Sequence, residues 1–442
     1  MKKRRGDKIM GKIAVIFGGG FISHINPLKP LIKHLNEENY KVYLFNIEKY
    51  KEIVEGLGCF FIKYPNKIDE TKYQEIEIKY LKELEQEQLK GNVIEYYKLI
   101  TKIGAIRSHT FNHRIFYKLF SDVKKLNPTI IFCDAINMYG DLIAKELGIE
   151  CIGYITNNIY NYSFLNTDNG YLWKTFSRHW GTSYFFDKDF FSKYWEYLCK
   201  TYKEVSVENN LEYLEPMRHF EPRSKKIIIF SSKYIQPKRA LCNEKSYFFI
   251  PSIVNNFEIT DTELKKFCKG MNKIVYIAHG SYLDVNLNHY LPLIKILTER
   301  GIKIVISTGK YHASFIEKLP KKVKLSNLIF CAPIINQKDA LFMCDLFITH
   351  GGMNSIMEAI SFETPMLLNP ITPEQRMNAL IVNNKKIGIS NYKLPRELTT
   401  GQAILKLLER EKYVNNLHKL KLKILKEVEN LDKEKLNEFL RK

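Results

Sequence analysis

In the stretch FITHGGMNSIME, Phe347 to Glu358, an apolar run ends at His350, Gly351 and Gly352 follow, and Asn354, Ser355 and Glu358 arrive at helical spacing. A histidine, a bare backbone and clustered donors at a strand-to-helix turn describe an anion site. The glycines let the backbone come close, the first helical turn offers unpaired N–H groups, and the helix dipole favours negative charge. Asn354 and Ser355 add donors, and His350 can give a proton or a charge to a phosphate oxygen. Glu358 lies four residues past Asn354 and three past Ser355, hence on the same face one turn deeper, where a carboxylate suits a vicinal diol. Phosphates at the helix end and a ribose one turn down describe a nucleoside diphosphate. Asn and Ser are ordinary helix caps, so capping explains any one of these positions, but not the run, which continues to Pro365, Pro370 and the pair Glu374-Gln375.

A second constellation lies earlier. His24 closes the first glycine-rich turn, GGGFISH, just before Asn26, which is expected to cap a helix with Pro27 at its first position. Asp134 ends the apolar run NPTIIFCD. Both positions fall at the carboxyl edge of one sheet, where open α/β proteins bind ligands. A near-neutral imidazole held by a buried aspartate suits removal of a proton from an attacking hydroxyl. Taken singly, His24 reads as a surface histidine and Asp134 as a cap; their joint placement favours catalysis.

The elements that must position these groups follow from the pattern. IAVIF, a glycine turn, a helix and KVYLFNI form a βαβ unit, continued by CFFIKY, a polar helical stretch near 70–100, the strand ending at Asp134 and CIGYIT. A second βαβ series starts at KIVYIAHGS and runs through IKIVIST, NLIFCAP and LFITH to MLLNP. The fold class is therefore α/β with doubly wound sheets, and 442 residues suit two domains. The expected boundaries are 1–253, a linker at 254–272, 273–415, and C-terminal helices at 416–442.

Composition narrows the classes. No apolar run reaches the ~20 residues that span a bilayer, and Ile13 to Phe17 is too short for a signal-peptide core. Eight cysteines without a Cys-x-x-Cys pair suggest buried thiols in a reducing cytosol. The net charge of +20 suits an anionic partner, yet no nucleic-acid signature accompanies KKRR, KKVK or LHKLKLKILK. All three tryptophans, Trp173, Trp180 and Trp195, gather in one aromatic interval, where packed helix faces and an apolar acceptor pocket are equally good readings. The DKD at 187–189 reads as solvated charge, so no metal is expected. Gly18-x-Gly20-x-x-Ser23 with Glu48 imitates a dinucleotide fingerprint without its third glycine, and it leaves the FITHGGMNSIME turn unexplained.

The segment APIINQKDALFMCDLFITHGGMNSIMEAISFETPMLLNPITPEQRMNA closely resembles the donor-binding signature of the family 1 UDP-glycosyltransferases, particularly the bacterial macrolide-type branch. GGGFISHINPLKPLIKHL and FSSKYIQP are similar to that family's segments too. The resemblance implies a GT-B fold, two Rossmann-like domains facing across a cleft, with the acceptor in the first, the nucleotide sugar in the second, and a C-terminal helix crossing back. It implies that His350, Gly352, Asn354 and Ser355 hold the diphosphate, that Glu358 holds the ribose, and that Glu374 and Gln375 hold the sugar hydroxyls. Gly280 and Ser281 match a phosphate-side loop, His24 the general base and Asp134 the carboxylate that orients it. Ile334 stands where the family places a tryptophan on uracil, Asn336-Gln337 replaces a proline-glutamine pair, and Glu374 replaces an aspartate; base and sugar stay open.

The activity implied is inverting, metal-independent transfer of glucose or a related hexose from a UDP- or dTDP-sugar to a small hydrophobic or natural-product hydroxyl, in the cytoplasm. Two alternatives stand beside it. The basic surface and aromatic interval would let the protein dock on the inner face of an anionic membrane and glycosylate a lipid. A catalytically silent nucleotide-sugar-binding protein is the other.

Overall fold

The computed structural model describes residues 11–65, 116–137, 139–159, 188–208, 221–237, 246–279, 287–391, 400–409 and 411–441, with Ala105, Tyr213 and Pro216. Gly280, Ser281, Trp173, Trp180, the KKRR tail, the 70–100 stretch and the side chains of 187–189 lie outside the described residues.

The described chain forms two parallel sheets. The first holds β1 (Ile13–Phe17), β2 (Lys41–Asn46), β3 (Phe60–Lys63), β4 (Ile130–Asp134), β5 (Cys151–Ile155), β6 (Lys226–Ile229) and β7 (Ser246–Phe249), in the order β3-β2-β1-β4-β5-β6-β7. The second holds β8 (Ile274–Ala278), β9 (Lys303–Ser307), β10 (Ile329–Ala332), β11 (Leu346–Thr349), β12 (Met366–Leu368) and β13 (Gly388–Ser390), in the order β10-β9-β8-β11-β12-β13. Central strands are apolar throughout because helices cover both faces, and Val15, Ile16, Ile277 and Ile348 are fully buried. Each such side chain contributes about 1.5–3 kcal/mol. This is the GT-B arrangement expected from the sequence. No described helix is long and apolar enough to cross a membrane.

Three local features differ from expectation or sharpen it. The first helix starts early, at Ile22–Ile25, with Phe21 as its N-cap; Asn26 is itself helical (φ −55°, ψ −41°) and closes this helix through its backbone N–H to Ile22 O, so it is not an N-cap. A 3-10 turn at Asn26–Leu28, where Pro27 has no N–H to give, leads into the helix Lys29–Glu37. His24 thus sits inside a helical turn rather than before one. In the expected linker, Thr262–Cys268 is a helix capped by Asp261, and Leu264 and Cys268 pack in the core of the second domain. Asp339, fully buried, anchors it by accepting from the Thr260 and Asp261 N–H groups at 3.0 and 3.2 Å. The polar exposed face of this short helix hid its two buried positions from a reading by composition.

At the C-terminal end, the helix Glu411–Glu429 packs Leu417, Leu420 and Ile424 in the core of the second domain. The next helix, Lys433–Arg441, places Leu436 and Leu440 in the core of the first. Asn437 Oδ1 lies 3.0 Å from His34 Nε2, and Lys433 pairs with Glu37 at 2.7 Å.

Candidate active site

Both sheets change winding direction at one point, between β1 and β4 in the first and between β8 and β11 in the second. Loops leaving such neighbours diverge and open a crevice at the carboxyl edge. His24 follows β1 and Asp134 ends β4, and their side chains meet, Nδ1 to Oδ2, at 2.7 Å. Asp134 is 2% exposed, and its other oxygen accepts from the Ile136 N–H at 3.1 Å. Gly19 makes the meeting possible, since a Cβ there would lie 2.9 Å from the His24 ring and 3.0 Å from Asp134 Oδ2. Burial alone would lower the His24 pKa, but Asp134, through charge and hydrogen bond, and Glu374, through charge, carry it above the ordinary value of 6.5. With Nδ1–H directed at Asp134, Nε2 is left to take a proton.

The turn after β11 has the expected anion-site form. Gly352 caps the helix Met353–Ser361, and Gly351 adopts φ +85°, which only glycine takes without strain. Glu358 and Ser355 share a face, as their spacing requires. Gln337 Nε2 joins them, donating to Glu358 Oε2 at 2.5 Å and to Ser355 Oγ at 3.2 Å. Burial raises the Glu358 pKa, against the hydrogen bond from Gln337 and the charge of Lys338. His350 Nδ1 is buried with no hydrogen-bond partner among the described residues, and burial pulls the ring's pKa down to about 4. The imidazole is therefore a neutral N–H donor at neutral pH; of the two roles expected for it, the proton is on offer and the charge is not. Buried donors at a helix N-terminus fit a diphosphate.

This depressed value carries a stability prediction. Unfolded His350 protonates near pH 6.5 and the folded ring only near 4, so its contribution is intact above 6.5 and is lost as pH falls from 6.5 towards 4. The 2.5-unit gap corresponds to about 3 kcal/mol. Urea unfolding at pH 7 and pH 4.5 should show a wild-type loss that His350→Phe reduces by about that amount; an unchanged difference would refute the assignment.

The two sites face each other. Asn354 Nδ2 donates to Ser23 O, next to His24, at 3.0 Å. Glu374, at the start of the helix Pro373–Lys385, receives the Met353 N–H and lies close enough to His24 for their charges to interact, so it stands between the base and the anion turn. Burial raises its pKa, opposed by His24, Asn378 and the Met353 N–H. Gln375 is more committed than expected: its Oε1 accepts from Ile371 and Thr372 N–H at 2.8 and 3.0 Å in a capping box, leaving only its amide nitrogen to offer. Ile334 is 87% exposed, an open apolar surface three residues before Gln337 in the chain. Trp195 is buried on the helix Lys188–Glu208, which fits the packing reading.

Several participants escaped the sequence reading. Thr156, Asn157 and Asn158 follow β5 at the same sheet edge as Asp134. Thr156 Oγ1 lies 3.5 Å from His24 Nδ1, and with its amide nitrogen turned inward Asn157 donates to Glu374 Oε1 at 3.1 Å. Asn158 Nδ2 donates to Asn378 Oδ1 at 2.5 Å. The strand-end rule that singled out Asp134 applies equally to this TNN triplet, and Asn378 sits one helical turn past Glu374.

Comparison with known proteins bears on the fold and on the family resemblance. Residues 313–434 match the family model "UDP-glucoronosyl and UDP-glucosyl transferase". The UDP-glucosyltransferase YdhE of Bacillus subtilis (strain 168) is 28% identical over 196 residues, covering 44% of this chain and 47% of that protein. The UDP-glucosyltransferase YojK of the same organism is 22% identical over 395 residues, covering 87% of this chain and 85% of that protein. A solved UDP-glucose: anthocyanidin 3-O-glucosyltransferase in complex with UDP superposes with a TM-score of 0.63 at 16% identity, covering 98% and 99% of the two chains, and so shares the fold. The carboxyl-terminal match, the relatives that run through both domains and the paired parallel sheets show that the chain has the GT-B fold and resembles the family 1 glycosyltransferases.

Proposed function

We propose that the protein transfers a hexosyl group, glucose or a close relative, from a UDP- or dTDP-sugar to a hydroxyl of a small hydrophobic acceptor, with inversion at the anomeric carbon. The observation that carries this reading is the His24–Asp134 pair facing Glu374 and the amino end of the helix Met353–Ser361 within one cleft. His24 Nε2 takes the acceptor proton as its oxygen attacks the anomeric carbon; Asp134 holds the ring and stabilises the imidazolium. The bond from that carbon to the β-phosphate oxygen breaks, and the charge leaving with the diphosphate meets the helix N-terminus and the neutral N–H of His350. Glu358 holds the ribose, Ser355 and Asn354 the phosphates, and Glu374 the sugar. Gly280 and Ser281 would complete the phosphate side, and Trp173, Trp180 and Trp195 the acceptor side. The names of the relatives support UDP-glucose as the first donor to try.

A thermal-shift panel of UDP, dTDP, GDP, ADP, NAD and UDP-glucose tests the reading, because a ligand of the folded state raises the melting temperature. UDP or dTDP compounds are expected to shift it; a response to NAD alone, or to nothing, overturns the reading. The exposed Ile334 gives the base an apolar wall without a π face. Ile334→Trp is therefore expected to tighten UDP binding by ~2- to 10-fold, measured by calorimetry.

A further inference from the structure

Asn378 is fully buried on the helix Pro373–Lys385, and its one amide group ties together three parts of the molecule. Nδ2 donates to Gly351 O at 2.8 Å, in the anion turn, and to Glu374 Oε1 at 3.2 Å. Oδ1 accepts from Asn158 of the other domain at 2.5 Å. Asn158 is itself 1% exposed, and its loop is fixed where the Ile159 N–H donates to Gln236 Oε1 at 2.9 Å.

Glu374 is held by amides from both domains, Asn378 from its own helix and Asn157 from across the cleft, and both reach the same oxygen. A carboxylate has about four acceptor positions. Asn378, Asn157 and the Met353 N–H fill three, which leaves the carboxylate pinned with one position to give to a hydroxyl.

We propose that Asn158 and Asn378 are positioning residues that couple approach of the two domains to recognition of the donor sugar, an inference that rests on the glycosyltransferase reading above. When Asn158 and Asn157 lie against the second domain, the Asn378 amide is locked in one orientation and Glu374 in one position. With the domains apart, Glu374 keeps a single side-chain partner, on an amide free to rotate. The diphosphate, bound by the turn and the helix end, does not need this contact; the sugar does. Affinity for a nucleoside diphosphate and for the same diphosphate carrying a hexose should therefore respond differently to loss of Asn158.

The test is calorimetric binding of UDP, UDP-glucose, dTDP and dTDP-glucose to wild type, Asn158→Ala, Asn158→Asp, Asn378→Ala and the double alanine variant. Asn158→Asp keeps the volume while setting one oxygen against another, and the melting temperature of each variant without ligand checks that it is folded. Both Asn158 variants are expected to weaken the sugar-bearing ligand about tenfold and the bare diphosphate by less than about twofold. The double variant should be no worse than Asn378→Ala, since both act through one contact. Equal weakening of diphosphate and sugar nucleotide, no weakening, or additive losses would overturn the proposal. A wild type that binds none of the four probes would remove the glycosyltransferase reading and this inference with it.

Discussion

Replacing His24 with alanine should lower the transfer rate by about a thousandfold while leaving the affinity for the nucleoside diphosphate within about twofold. The separation follows from geometry. His24 lies in the helical turn after β1 and is the proposed partner of the reacting hydroxyl, whereas the proposed diphosphate site is the turn after β11. The same residue sets the pH dependence. It must be neutral to accept a proton, so the wild-type rate falls as pH drops through its pKa, which lies above 6.5. Glu374→Gln removes one of the charges that raise it, and the acidic limb should move to lower pH. Equal loss of rate and of diphosphate binding in His24→Ala would show that the histidine supports structure instead of catalysis.

Gly351→Ala should be nearly as damaging by a different route, abolishing diphosphate binding and costing about 2–5 kcal/mol of stability. At φ +85° a Cβ is strained, and it would lie 2.5 Å from Cδ2 of Leu368, which is fully buried and has nowhere to move. The backbone would relieve the clash by rotating the turn, moving His350 and the helix amino end out of register with the ligand. Gly352→Ala separates crowding from backbone strain and should cost less stability, because its Cβ meets the His350 ring, Nε2 at 3.2 Å and Cε1 at 3.7 Å, while its φ is an ordinary −63°. If the two variants bind UDP equally well, the turn's conformation is not what makes the site.

Much of this was legible in the sequence because the relevant signals are local. Strand β11 stops at a histidine, glycines follow, and helical spacing puts Ser355 and Glu358 on one face. The meeting of His24 with Asp134 was inferred from the rule that ligands gather at strand ends, and the β1–β4 pairing supplies it. What escaped depends on contacts between distant parts of the chain. Nothing local to Asn378 says that Asn158, 220 residues earlier, will reach it. Gln375 illustrates the opposite failure, a local capping box overlooked because the pair Glu374-Gln375 was read as one functional unit. Asn26 failed for a similar reason, since a residue typical of caps lies inside a helical segment that had already begun.

The return of Lys433–Arg441 to the first domain also constrains how the protein is made. Leu436 and Leu440 fill the core between β1, β4 and the helix Lys29–Glu37, yet they leave the ribosome roughly 190 residues after β7 completes that sheet. At ordinary synthesis speeds that is an interval of roughly 10 to 40 s. Throughout it the nascent amino-terminal lobe lacks these two side chains, and it is sealed by a segment translated only after the whole second sheet. Completion of the first domain is thus a late event in biosynthesis, dependent on the second domain having folded far enough to carry that helix home.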